Sequence, residues 1–165
     1  MNWDAIGAIG EIVGALAVVV SLVYLAIQIK AQNNESKAAT VQHALDGYAS
    51  AISRLQDPDL AEIWIAGIED FDSLSDAQRL RFTMYLTAAL RMVENAYYQW
   101  QNKRLDDETW RALSAIVKDV KSTYAFGEIF ETRRHQFRIE FAEYVDQLEI
   151  GDYSYIKKDG VKEIT

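Results

Sequence analysis

A run of apolar side chains near the N-terminus is long enough to cross a membrane. Residues 5–29 hold a single charge, Glu11, and residues 12–29 supply 18 positions with none. A spanning helix needs roughly 20 apolar residues, and Trp3 suits the interface before the run. The sequence therefore predicts a transmembrane helix over residues 1–30.

The charges that flank this run predict its orientation. The first 11 residues contain two acids and no Lys or Arg, whereas a secretory signal peptide begins with a basic region. Lys30, Lys37 and Arg54 follow the run, and basic residues collect on the cytoplasmic side. We expect an uncleaved anchor with the N-terminus outside and the remainder of the chain in the cytoplasm.

Small residues recur along the run at steps of three and four. Gly7, Gly10, Gly14, Ala17 and Ser21 follow this spacing, which places them on one face of a helix. In lipid, such faces let two helix backbones approach closely. The pattern predicts a seam between copies of the chain, and hence a homo-oligomer.

Glu11 has two interpretations. If the hydrocarbon begins near Ala5, the carboxylate lies about two turns inside the membrane, where such a group is costly and usually functional. If the hydrocarbon begins at Ile12, Glu11 lies at the outer interface and carries little meaning. In a ring of protomers, the first interpretation gives a ring of carboxylates that would select cations in a pore.

The charge and composition of the chain exclude several classes of function. The formal net charge is −8, most of it beyond residue 30, which argues against nucleic acid as a partner because phosphate binding needs a basic face. The chain has no cysteine, which excludes disulfides and thiolate metal sites. The composition leaves membrane lipid and an unknown protein as the expected partners.

The remainder of the chain has helical periodicity and predicts an all-α domain over residues 31–150. The polar residues 31–35 fit a short hinge or an exposed helix, and an amphipathic stripe from Val41 to Leu55 follows and ends before Pro58. If Asn33-Asn34 does not break it, the first helix runs from near Asp4 to Gln56. Ser75 with Gln78 predicts a capping box before the longest soluble helix. Further helices are expected after Asp106 or Asp107 and from Glu131 to Glu149, with a looser connection over residues 122–130.

The tail, residues 151–165, has a different pattern. Tyr153 and Tyr155 alternate with polar residues, and Asp159-Gly160 is a hairpin signal. The pattern fits a short hairpin, an arm that docks on a neighbour, or a mobile end.

The two histidines, His43 and His135, are the candidate metal ligands of the chain. Glu128, Glu131 and His135 would share one face of a continuous helix, but a di-iron bundle needs Glu three residues before each His. Thr40 and Thr132 stand at those positions. Phosphate-loop, nucleophile-elbow and zinc-protease motifs are missing from the sequence as well. We therefore expect no enzyme, no cofactor and no metal.

Polar residues interrupt the longest soluble helix within an aromatic stretch. Arg91 and Glu94 are one turn apart and can form a local ion pair. The favoured interpretation is a surface pair with the aromatics in the core. The alternative is a pocket formed by Arg91, Glu94, Tyr97 and Trp100.

Two stretches carry a family resemblance. Residues 3–7, Trp-Asp-Ala-Ile-Gly, lead into the apolar helix, and Tyr97, Trp100, Leu105-Asp106-Asp107 and Trp110 form the second stretch. The chain resembles a large group of uncharacterised bacterial single-pass membrane proteins with a small helical cytoplasmic domain. The resemblance implies this architecture and an inner-membrane location, but no activity. By analogy with proteins of similar plan in bacterial antiviral systems, the alternative function is a membrane pore or ion channel that acts as a defence effector.

Overall fold

The structure, a computed structural model, describes residues 2–151, 153–157 and 160–164. Within these ranges the chain forms six α-helices, two short 3₁₀ turns and one two-stranded ribbon. The helices are α1 (Trp3–Arg54), α2 (Pro58–Glu69), α3 (Asp76–Gln101), α4 (Asp107–Lys121), α5 (Tyr124–Arg133) and α6 (Ile139–Gln147). The strands are β1 (Tyr153–Lys157) and β2 (Gly160–Ile164), and they pair antiparallel. The prediction of an all-α fold with a long N-terminal helix is confirmed.

The chain divides into two compact units, residues 1–39 and residues 40–165. The expected boundary was residue 30, where the apolar run ends. Residues 31–39 are helical and exposed like those before them, so the second unit begins only where α1 starts to bury side chains. The α1 helix is unbroken through the polar stretch at Asn33-Asn34.

Local capping signals define where the helices of the second unit begin. The Asp57 carboxylate accepts a hydrogen bond from the Leu60 amide at 3.0 Å, and Pro58 opens α2. Ser75 and Gln78 form the predicted capping box at α3. At α4 the capping residue is Asp106, whose carboxylate accepts from the Thr109 amide at 2.8 Å. These hydrogen bonds hold the pKa of Asp106 below its usual value.

The core of the second unit lies between α3 and the helices packed on it. Its most deeply buried side chains are Phe82, Val93, Phe141 and Val145. An aromatic cluster extends this core, with Trp100 stacked on Trp110 at 5.4 Å between ring centroids. Other members of the cluster are Tyr97, Phe141 and Tyr144. Such rings bury large areas and contribute strongly to an apolar core.

The segment between α4 and α6 differs from the prediction. Residues 124–133 form α5, capped by Thr123, where a loose connection was expected. The helix expected over Glu131–Glu149 is instead interrupted by a 3₁₀ turn at Arg134–Gln136, and α6 begins at Ile139. The break allows Phe137 to be buried, with 7 % of its surface exposed.

The tail is joined to its own domain. The Gly151 amide donates to the Lys118 carbonyl at 2.9 Å, and the Tyr153 amide donates to the Ser122 hydroxyl at 3.2 Å. The Trp64 indole donates to the Tyr153 hydroxyl at 2.8 Å. In the ribbon Lys157 pairs with Gly160; Asp159 of the predicted turn lies outside the described residues.

Candidate functional site

Every residue of the apolar segment of α1 from Gly7 to Ile29 is exposed within its own unit. Among the described residues, one helix is long and apolar enough to cross a membrane, and 0 % of its apolar window is buried. The exposed fractions reach 67 % at Val20 and 60 % at Leu22. A soluble protein rarely exposes so continuous an apolar surface. This surface needs lipid or another helix to cover it.

The helix brings the five predicted seam residues onto one face. At 3.6 residues per turn, Gly7, Gly10, Gly14, Ala17 and Ser21 fall within an arc of about 80°. A Cβ added at any of the three glycines would meet no atom within 4 Å. The Ser21 hydroxyl donates to the Ala17 carbonyl at 2.9 Å, so its proton is satisfied inside the helix. The face therefore carries only small side chains, and its one hydroxyl donor is already bonded. These properties allow the backbone of a second helix to approach closely.

Glu11 lies at the border of this face. It is about 40° around the helix from Gly7 and about 60° from Gly14, and it is exposed within the single chain. A helix packed through the small-residue face would hold this carboxylate beside the contact. The two interpretations of Glu11, in the hydrocarbon or at its interface, both stay predictions.

The four residues of the predicted pocket in α3 have separate structural roles. Glu94 is buried, with 6 % of its surface exposed. One of its carboxylate oxygens accepts from Arg91 and the other accepts from the Arg138 amide, each at 2.6 Å. The interpretation of Arg91 and Glu94 as a surface pair is therefore wrong for Glu94. Through its bond to the Arg138 amide, the buried Glu94 carboxylate joins the start of α6 to α3.

The aromatic members of that set lie in the core cluster. Tyr97 contacts Trp100 at 6.0 Å between ring centroids, and Tyr97 is buried. A depression beside Tyr97 is lined by residues from α3 and α6, and Arg91, Glu94 and Trp100 are not among them. The four residues do not converge on one cavity there.

The residues that suggested a metal do not share a helix. Glu128 and Glu131 lie in α5, but His135 lies in the 3₁₀ turn that follows its end. Over the described part of the chain, no group of three or more His, Asp or Glu side chains is placed to hold a metal ion. The facial alignment expected from the spacing is wrong because the helix ends at Arg133.

One cavity in the second unit was not predicted. It lies between the end of α1, the helices α2, α3 and α4, and the strand β1, and has a volume of about 150 Å³. Tyr48, Ala51, Tyr85 and Ala89 are among its lining residues. Burial raises the pKa of the Tyr85 phenol, which keeps its hydroxyl protonated. The sequence signal that was overlooked is the pair of alanines at positions where two apolar stripes face each other.

Comparison with protein-family models, with curated proteins and with solved structures finds no match to this chain. The family resemblance inferred from residues 3–7 and 97–110 therefore stays a prediction.

Proposed function

We propose that this protein is a homo-oligomeric single-pass membrane protein that acts by assembly and protein–protein contact, without catalytic turnover. The observation that supports this most is the unburied apolar segment of α1, from Ile9 to Ile29. Lipid covers most of such a helix at little cost, because every backbone polar group is bonded within the helix. The small-residue face is the part that a second helix covers best.

Widening this face should weaken the oligomer. In a Gly14→Leu variant, the added side chain projects from the middle of the seam, so the helix backbones can no longer approach closely. We expect a shift toward monomer in crosslinking of the full-length protein in lipid nanodiscs. The matched control is Val23→Leu, since Val23 lies about 180° around the helix from Gly14. Equal oligomer in both variants would place the contact elsewhere.

The second candidate function is a membrane pore or ion channel that acts as a defence effector, and we retain it because Glu11 borders the small-residue seam. In a ring of helices this position would bring one carboxylate per protomer near the axis, an arrangement that selects cations. We expect cation-selective conductance in planar bilayers and a loss of selectivity in Glu11→Gln. A silent bilayer, or conductance that Glu11→Gln leaves unchanged, removes the pore from consideration.

We further infer that the protein lies in a bacterial inner membrane with its N-terminus outside and the helical domain in the cytoplasm. The support is the basic flank at Lys30 and Lys37. The chain has no cysteine, so a cysteine introduced at Asn2 or at Asp76 reports the side of the membrane on which that position lies. We expect an impermeant maleimide to label Asn2→Cys in intact spheroplasts and Asp76→Cys only after lysis. The reverse labelling pattern would show the opposite topology, with the N-terminus in the cytoplasm and the helical domain outside.

A further inference from the structure

The cavity beneath the end of α1 has an unusual combination of size and lining. Its volume is about 150 Å³, and every residue that lines it is uncharged. Ala51 of α1 and Ala89 of α3 both contribute to its walls, and larger side chains at these positions would fill it. Protein interiors are otherwise packed as densely as organic crystals. This pocket, which is partly open to solvent at Ile52, therefore leaves room beside the core for a small guest.

The helices α1 and α3 are joined by close contacts beside the cavity. A Cβ added at Gly47 would lie 3.0 Å from Cγ of Met92, so α1 already approaches α3 as closely as glycine permits. The Tyr85 hydroxyl donates to the Ala51 carbonyl at 3.0 Å, which fixes the same pair of helices. These two contacts fix the position of α1 on α3 at the edge of the cavity.

The walls are aromatic and offer one unused polar group. The lining includes the rings of Tyr48, Trp64, Tyr85 and Tyr153. The Trp64 indole N–H and the Tyr85 hydroxyl proton already have acceptors. Within the described part of the chain, the hydroxyl of the half-buried Tyr48 has no hydrogen bond to another protein group. A guest could pair with this hydroxyl while its body rests against apolar carbon.

We propose that this cavity is a binding site for a small uncharged aromatic molecule with one hydrogen-bonding group, of the size of a phenol. The volume matches one six-membered ring, since an engineered apolar cavity of about 150 Å³ in another protein binds benzene. An uncharged ligand is favoured over a charged one because none of the lining residues carries a charge that would compensate desolvation of the ligand. The proposal does not depend on the oligomeric state proposed above.

The methionines give a direct test with phenol as the probe. Met92 lines the cavity, whereas Met84 lies on α3 with 55 % of its surface exposed. In full-length protein labelled at the methionine methyl groups with ¹³C and held in nanodiscs, phenol should shift the Met92 signal saturably and leave Met84 unchanged. Phenol dissolved in the lipid cannot produce this difference. The chain has three methionines, so the Met84→Leu and Met92→Leu variants together assign the Met84 and Met92 signals.

Three further comparisons test the charge of the ligand, the space in the cavity and the role of the Tyr48 hydroxyl. Benzoate, which has the same ring and a charge, should cause no shift. Ala89→Leu should abolish the Met92 shift by filling the cavity, whereas Ala115→Leu, on the exposed side of α4, should retain it. Tyr48→Phe should weaken phenol binding about fivefold, the effect of one hydrogen bond.

The proposal is overturned if phenol causes no selective Met92 shift up to its solubility limit. A shift that benzoate reproduces would also overturn it, and the wild-type protein alone decides both points even if a variant fails to fold. Contacts from lipid acyl protons to the Met92 methyl that phenol does not displace would assign the cavity to lipid instead.

Discussion

Replacing Gly67 with alanine is expected to lower the free energy of unfolding of the helical domain by about 3 kcal/mol, at the upper end of the cost of overpacking. A Cβ at this position would lie 2.5 Å from Cδ2 of Phe82 and 3.1 Å from Cδ1 of Leu74. Phe82 is fully buried and stacks on Trp64 at 4.8 Å between ring centroids, so its ring has no free space to enter. Urea unfolding of the full-length protein in detergent, followed by circular dichroism, measures the change.

Gly127→Ala is the matched control, because it adds the same methyl group inside a helix. A Cβ at Gly127 would meet no atom within 4 Å, and alanine favours a helix interior over glycine by about 1 kcal/mol. We therefore expect this variant to be more stable than the wild type. If Gly67→Ala were stabilising as well, the packing of α2 on α3 described above would be incorrect.

Glu94→Ala should also destabilise the domain by about 3 kcal/mol, in the range for losing a buried, hydrogen-bonded carboxylate. The variant leaves the Arg138 amide at the start of α6 without its acceptor and removes the partner of Arg91. The loss should appear as a lower unfolding midpoint in the same urea titration.

Glu131→Ala provides the comparison for Glu94→Ala. Its side chain is 73 % exposed and lies 3.8 Å from Arg134, and exposed ion pairs of this kind contribute less than about 1 kcal/mol. Equal effects of the two variants would contradict the role assigned to Glu94 in joining α3 to α6.

Features of the fold that depend on neighbouring residues were predictable from the sequence. Pro58, the Ser75–Gln78 box and the cap at Asp106 each act within one helical turn, and the structure confirms them. The apolar stripe of α1 was predicted as well: Val41, Tyr48 and Leu55 pack against the core. Leu45 and Ile52 of the same stripe stay at least 43 % exposed, because the stripe is wider than the surface it covers.

Features that depend on distant residues could not be predicted in this way. The break before α6 involves the Glu94 carboxylate, 44 residues from the Arg138 amide that it binds. No local pattern reveals this pair, so the spacing of Phe137 and Phe141 suggested one continuous helix. The cavity was missed for a similar reason, since it arises from how four helices and a strand fit together.

The face of small residues is different, because it follows from helical geometry alone. Once residues 7–21 are helical, Gly7, Gly14 and Ser21 must share a side. The identity of what covers that side is a property of the assembly. The depth of Glu11 in a membrane is likewise set by lipid and neighbouring helices.

The most direct test of the central claim is native mass spectrometry of the full-length protein released from a mild detergent. We expect one defined oligomer of the 18.8 kDa chain, which dissociates in Gly14→Leu and persists in Val23→Leu. A wild-type protein that is strictly monomeric across the concentrations tested would contradict assembly through the small-residue face.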